Sequence, residues 1–219
     1  MNHRHPIFAR CFDRLSTVLD RETGPQREEL LAGLRGRILE VGAGNGINFR
    51  YYPEAVREVI AIEPEPYLRA KARLAAARAP VPVRVCAGTA SRLPLAAASI
   101  DAAVASLVLC TVPDVDAALA ELRRVLKAGG ELRLLEHVRA GGSFKAMAQR
   151  LLDRTGLWPL LGGGCHCSRA TVAAVEAAGF RIERLRTVEV GPRFLLTNPH
   201  VLAVARLPPE LQPPVRGRD

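Results

Sequence analysis

At 219 residues the chain has the length of one domain, and 48% apolar against 24% charged residues exclude wholesale disorder and a fibrous repeat. Five cysteines without framework spacing exclude a disulfide scaffold and point to reduced thiols in a cytoplasmic chain. The formal charge of +9 rests on scattered arginines, only Lys71, Lys127 and Lys145 being lysine, and with 5% aromatics no basic stripe with stacking rings forms, so nucleic acid is not expected as a partner.

Residues 7–34 place Ile7, Phe8, Phe12, Leu15, Val18, Leu19, Leu30, Leu31 and Leu34 in a helical pattern that Gly24-Pro25 is expected to break. The strand Arg37-Ile38-Leu39-Glu40-Val41 runs into Gly42. Strands follow at 58–62, 82–86, 100–107 and 131–136, with helices at 67–77 and 115–126 between them, the latter stopped by Gly129-Gly130. A helix at 168–178 ending at Gly179 and strands at 180–189 and 201–207 complete the pattern. Strands alternating with helices imply crossover units and a parallel sheet covered on both faces. One domain over 1–207 is expected, with an N-terminal helical cap at 1–35, a lid-like segment at 141–168 and a flexible proline-rich tail at 208–219. No stretch is long enough to span a bilayer, and the most apolar run, 102–113, sits between Asp101 and Asp114; contact with a membrane surface stays open for so positive a chain. Neither an oligomeric state nor a secretory leader has a signature here.

Chemistry concentrates in three loops. Gly42-Ala43-Gly44-Asn45-Gly46 follows the first strand, where glycines let the backbone turn tightly and approach a ligand. The spacing is Gly-x-Gly-x-Gly, one residue short of the dinucleotide fingerprint. Glu63 ends the second strand, where a carboxylate can accept both ribose hydroxyls of an adenosine, and Pro64 stiffens the turn beside it. Gly88-Thr89-Ala90, past the third strand, can frame a base edge. Cys165-His166-Cys167 are adjacent, cannot easily converge on one tetrahedral ion and lack a second ligand pair, so no metal is expected. Cys86 and Cys110 read as small core residues. Asp101 reads as a structural residue at the start of its strand, and Trp158 as either a pocket wall or a packing residue.

In this order the pieces resemble the class I S-adenosylmethionine-dependent methyltransferases. Ile38-Leu39-Glu40-Val41-Gly42-Ala43-Gly44-Asn45-Gly46 is similar to that family's first motif, commonly with Thr where Asn45 stands. Glu63 matches its acidic ribose residue; Gly88-Thr89-Ala90 through Leu93-Pro94 and Ser99-Ile100-Asp101 match the adenine loop and fourth strand; Val125-Leu126-Lys127-Ala128-Gly129-Gly130 matches the turn before strand five. The resemblance implies an α/β fold, a Rossmann-like seven-stranded sheet, mostly parallel with an antiparallel last strand and helices on both faces. It also implies S-adenosyl-L-methionine as cofactor and S-adenosyl-L-homocysteine as product. The implied cofactor contacts are Glu40, Gly42, Ala43, Gly44, Gly46, Glu63, Pro64, Gly88, Thr89, Ala90, Ser106 and Leu107.

Ser106-Leu107-Val108-Leu109-Cys110-Thr111-Val112, Leu135-Glu136-His137-Val138 and Gly164-Cys165-His166-Cys167-Ser168-Arg169 resemble the methyltransferase-like-seven thiol methyltransferases, whose hydrophobic N-terminal anchor has no counterpart in this sequence. Ubiquinone/menaquinone methyltransferases share the core pattern. The resemblance implies methyl transfer to a small, largely apolar acceptor entering above strands four and five, near Leu107, Val108, Cys110 and His137. A thiol is the narrower expectation; a quinol, phenol or amine, or cofactor binding without turnover, are the alternatives. His137 is the candidate base, since imidazoles ordinarily titrate near neutrality, with a purely structural hydrogen-bonding role equally open. His166 is the second acid/base candidate.

Overall fold

The computed structural model of the protein describes residues 6–190, 196 and 198–211. The chain order is α1 (Pro6–Leu31), β1 (Gly36–Val41), β2 (Val56–Ile62), α2 (Pro66–Ala76), β3 (Val83–Cys86), β4 (Ile100–Ser106), α3 (Val115–Val125), β5 (Leu126–His137), α4 (Ser143–Arg154), α5 (Leu157–Leu161), α6 (Thr171–Ala177), β6 (Arg181–Glu189) and β7 (Pro199–Arg206). The seven strands form one sheet in the order β3-β2-β1-β4-β5-β7-β6. The first five are parallel, and β7 runs antiparallel between β5 and β6. Strand order therefore reverses between β1 and β4, the switch point where open α/β sheets receive ligands.

Alternation along each strand builds a core on either face. Ile38, Val59, Ala61 and Val104 pack with Leu30 and Leu31 of α1 and Ala72 of α2. Their neighbours Leu39, Val41, Ile60 and Ile62 face the opposite way, towards Leu119 and Leu122 of α3 and Val175 of α6. Each fully buried leucine of α3 contributes about 1.5–3 kcal/mol of apolar transfer. Helix starts are capped: the Asp114 side chain accepts from the Ala117 N–H, and Glu65 accepts from the Leu68 N–H with Pro66 at the first helical position. β6 is an edge strand carrying Arg181, Arg184 and Arg186 on a largely exposed surface, which discourages pairing with another chain.

Three expectations need correction. Gly24-Pro25 does not break the first helix: α1 runs 26 residues with Pro25 inside it. An interior proline costs about 3 kcal/mol, which the anchoring of this stretch outweighs; Arg27 is buried and bonds Thr23, Asn48 and Ser106, while Leu30 and Leu31 enter the core. Gly129-Gly130 does not cap α3, which ends at Val125; Gly129, at φ +72°, turns the chain inside β5, where its N–H reaches the Leu207 carbonyl. The helix expected at 168–178 starts at Thr171, because Ser168 and Arg169 are engaged elsewhere. In the expected tail, residues 209–211 form a short 3-10 turn and 212–219 lie outside the described residues, as do 1–5 of the expected cap.

Among the described residues no helix is long and apolar enough to cross a membrane. Phe144, Met147 and Leu151 recur along α4 and stay exposed, as does Leu160 of α5.

Candidate active site

β1 delivers the glycine loop to the switch point. Gly42, Gly44 and Gly46 adopt φ of +61°, +58° and +82°, a region that L side chains disfavour. Space is equally restrictive: a Cβ on Gly42 would sit 2.5 Å from Val108 Cγ2, and one on Gly46 would sit 2.7 Å from the Phe49 ring. The Ala43 N–H bonds the Ile62 carbonyl, tying the loop to β2. The Gly44 N–H donates to Glu63 Oε2 at 2.7 Å, and the Glu65 N–H donates to Oε1 at 2.8 Å. Glu63 is only 4% exposed, and burial pushes its carboxyl up to about 7 against these two donors.

Glu40 sits beneath this loop, fully buried. It accepts from Asn48 Nδ2 at 2.8 Å and from the Tyr52 hydroxyl at 2.8 Å, and burial pushes it up to about 7. Both its oxygens are thus taken by the chain after the loop. Arg27 links Asn48 Oδ1 to Ser106 Oγ, so α1, the glycine loop and the end of β4 share one buried network. The third loop lies against β2: a Cβ on Gly88 would meet Ile62 at 3.0 Å, the Glu63 N–H bonds the Cys86 carbonyl, and Ala90 is buried. Thr89 Oγ1 contacts Ser91 Oγ, and Pro64 offers its carbonyl to Arg69. Asp101 accepts from the Arg37 N–H and pairs with Lys127, a structural role as expected.

Leu107 follows β4 at φ +60°, an unusual conformation for a non-glycine residue. Its cause lies on β5. Glu136, fully buried, accepts the N–H groups of Val108 at 2.9 Å, Leu109 at 2.8 Å and Cys110 at 3.2 Å, curling the chain around one carboxylate. Sequence reasoning gave Glu136 no role; its signal was an acid placed directly after the apolar pair Leu134-Leu135 at the carboxyl end of a strand.

Beside this turn, His137 Nδ1 lies 3.7 Å from Cys110 Sγ and 3.4 Å from Cys165 Sγ. Contact with Cys165 and burial push the Cys110 thiol up, whereas contact with Cys110 and the His137 ring lowers Cys165. The ring of His200 packs on His137 with centroids 4.2 Å apart and donates its Nδ1–H to the Asn198 carbonyl; burial holds His200 near 3, hence neutral. His166 does not join the group: its backbone N–H bonds the Cys110 carbonyl. Cys167 turns away as well, towards Asp153 of α4, beside which burial pushes its thiol up to about 12. Asp153 also takes the Ser168 N–H and hydroxyl, and Arg169 holds the Leu109 and Val112 carbonyls. The tripeptide at 165–167 therefore splits, and Cys165 joins partners distant in the chain. Cys86 is half-buried at the end of β3, and Cys110, expected as a core residue, is buried but belongs to this group.

α1 roofs both sides. Asn45 donates to Asp13 and Ser16, while Phe12 lies over Gly44 and Phe8 over Gly163. Trp158 packs against Gly162 beside Cys165.

This arrangement provides a glycine cradle with a buried acceptor on one side and a sulfur–imidazole cluster on the other, suited to holding a nucleoside ligand against a second reactant. A family described as "Methyltransferase domain" matches residues 39–134. The human "Thiol S-methyltransferase TMT1A" is 30% identical over 204 residues, covering 88% of this chain and 82% of that one. The rat "Thiol S-methyltransferase TMT1B" is 33% identical over 172 residues, covering 77% and 69%. A solved Thermotoga maritima structure, described as a SAM-dependent methyltransferase and possible histamine N-methyltransferase, shares the fold with a TM-score of 0.67 at 23% identity, covering 91% of this chain and 97% of that one. By these matches in sequence and fold, the chain belongs to the class I S-adenosylmethionine-dependent methyltransferases.

Proposed function

We propose that this methyltransferase acts on the sulfur of a small, largely apolar thiol. The observation that carries the reading is the position of His137, at the carboxyl end of β5 beside the turn that ends β4, where an acceptor would face a donor held over Gly44. The names of the relatives that match most of this chain support the same acceptor class.

The residues present fit S-adenosylmethionine. Three left-handed glycines leave a cradle that Cβ atoms would fill, and Glu63 offers a buried carboxylate for the ribose diol. Pro64 and the loop of Gly88, Thr89 and Ala90 would border the base; Ala43, Ser106 and Leu107 would border the amino-acid end. Glu40 acts through Asn48 and Tyr52 by setting the loop's path. When bound, the cofactor supplies a methyl group already activated by its positive sulfur, so the chain's task is alignment and exclusion of water. Phe8 and Phe12 cover the site, Glu136 fixes the Val108–Cys110 backbone, and His137 is placed to take the thiol's proton. The segment 141–168, through α5 and Cys165, walls the acceptor side.

The test is product mass spectrometry with the donor and matched panels of alkyl and aryl thiols, quinols and amines, alongside homocysteine release. Thioethers are the expected products. Methylation confined to quinols or amines would refute the thiol acceptor and leave the methyltransferase intact.

A further inference from the structure

We propose that Cys110, His137 and Cys165 form a binding site for one zinc ion, with a fourth position open to the acceptor's sulfur. The open-position role rests on the thiol reading above; the metal site itself rests on geometry alone.

The ligand atoms of the three residues lie within 4.8 Å of one another. Zinc–sulfur bonds of about 2.3 Å and zinc–nitrogen bonds of about 2.0–2.1 Å at the tetrahedral angle put sulfur and nitrogen about 3.6 Å apart. The distances from His137 Nδ1 to the two sulfurs, 3.7 and 3.4 Å, bracket that value without side-chain movement. Hydrogen bonding explains the arrangement less well. A chain of hydrogen bonds from Cys110 through Cys165 to Nδ1 uses only one of the two sulfur–nitrogen approaches, yet both sulfurs lie close to Nδ1. Three ligand atoms this close to one another can all be bonded by one ion.

The supports are equally specific. Each ligand comes from a different segment and is fixed by its backbone: Cys110 by Glu136 and the His166 N–H, His137 by its place on β5, and Cys165 by its N–H to the Gly162 carbonyl. The His200 ring, itself anchored on Asn198, packs on the His137 ring and sets its plane. Two thiolates and an imidazole favour zinc over hard cations, and two thiolates cancel its charge in a buried place. Three protein ligands with an open position is the pattern of reactive rather than structural zinc.

In turnover the acceptor thiol would lose its proton to solvent on reaching the ion, which then takes over from His137 the task of making the thiolate, because Nδ1 is itself a ligand. The sulfur keeps its electron pair and forms the new bond to the methyl carbon. The bond between that carbon and the sulfonium breaks, its pair staying on what becomes the neutral thioether of S-adenosylhomocysteine. The methylated product, now an uncharged thioether, is a poorer ligand and departs.

The full chain, purified under reducing conditions and stripped with a chelator, would be titrated with zinc against a chromophoric competitor and separately with cobalt(II). One equivalent of zinc, thiolate-to-cobalt charge-transfer absorption and protection of two thiols from a disulfide reagent are expected. Cys110→Ser and Cys165→Ser should each abolish that absorption while S-adenosylhomocysteine still binds, showing a folded cofactor site. No stoichiometric ion, or binding that survives both substitutions, overturns the site. A Cys110–Cys165 disulfide in a protein that takes up no zinc after reduction also overturns it, in favour of a redox pair. If zinc binds at these residues but thiol methylation is undiminished by chelation, the open-position role is refuted; if zinc binds and only quinols or amines are methylated, the thiol reading falls and the metal site stands.

Discussion

Raising the pH through neutrality is expected to tighten S-adenosylmethionine binding, because Glu63 must be charged to accept both ribose hydroxyls. In the ligand-free chain burial holds this carboxyl at about 7, above its ordinary 4.5. If two hydroxyl donors restore the ordinary value, binding below pH 7 releases one proton, and affinity rises about tenfold per pH unit from roughly pH 5 to 7 and levels off above. Calorimetry in buffers of different ionisation enthalpy reads both the affinity and the proton. Glu63→Gln removes the titration, so its profile should lack this slope. It should also bind roughly ten- to a hundred-fold more weakly at pH 8, the equivalent of losing one bond to a charged acceptor, about 1.5–3 kcal/mol. A wild-type profile without the slope, or the same slope in Glu63→Gln, would refute the assignment. The sign for folding is opposite: a raised carboxyl contributes stability that is complete below about 4.5 and lost as the pH climbs through 7, so the ligand-free protein should melt at lower temperature at pH 8 than at pH 5.5 as far as Glu63 and Glu40 are concerned.

Gly46→Ala should lower stability by about 2–4 kcal/mol in urea titration, combining left-handed strain with overpacking against Phe49 and Ala75. Glu136→Gln presents an amide where the Cys110 N–H needs an acceptor; a loss of about 2–4 kcal/mol and faster amide exchange at 108–110 are expected. Arg27→Met removes the buried cation facing Asp20 and Asn48 and should cost about 3–5 kcal/mol by thermal denaturation. A loss below about 1 kcal/mol for any of these would count against the corresponding network.

The parallel half of the fold was legible because β1 to β5 write themselves as short strand-like runs, with α2 between β2 and β3 and α3 between β4 and β5, and the glycine loop and Glu63 announce themselves by chemistry and place. Pro25 misled because a local rule about helix interiors carries no knowledge of Arg27's partners 21 and 79 residues away. Gly129-Gly130 misled because a glycine just past a helix reads as a cap whether it serves the helix or the strand that follows. The cluster was legible only in part: the resemblance set Cys110 and His137 on the acceptor side, and nothing local joined Cys165 to them. Cys110 and Cys165 lie 27 and 28 residues from His137 on either side, and only the crossover through β5 and the return of the chain after α5 bring them together. Read locally, Cys165 belongs with His166 and Cys167, the neighbours from which the fold separates it.

The first helix carries a consequence for ligand traffic. Its Asp13 and Ser16 grip Asn45 in the donor loop, while Phe8, one turn earlier, overlies Gly163 on the opposite bank. One helix thus touches both compartments, so a change that ligand binding makes at one has a packed route to the other. Loading the donor should therefore shield the 8–16 amides from deuterium, and the stretch around Gly163 with them; exchange unchanged at both would mean that the helix does not carry the effect.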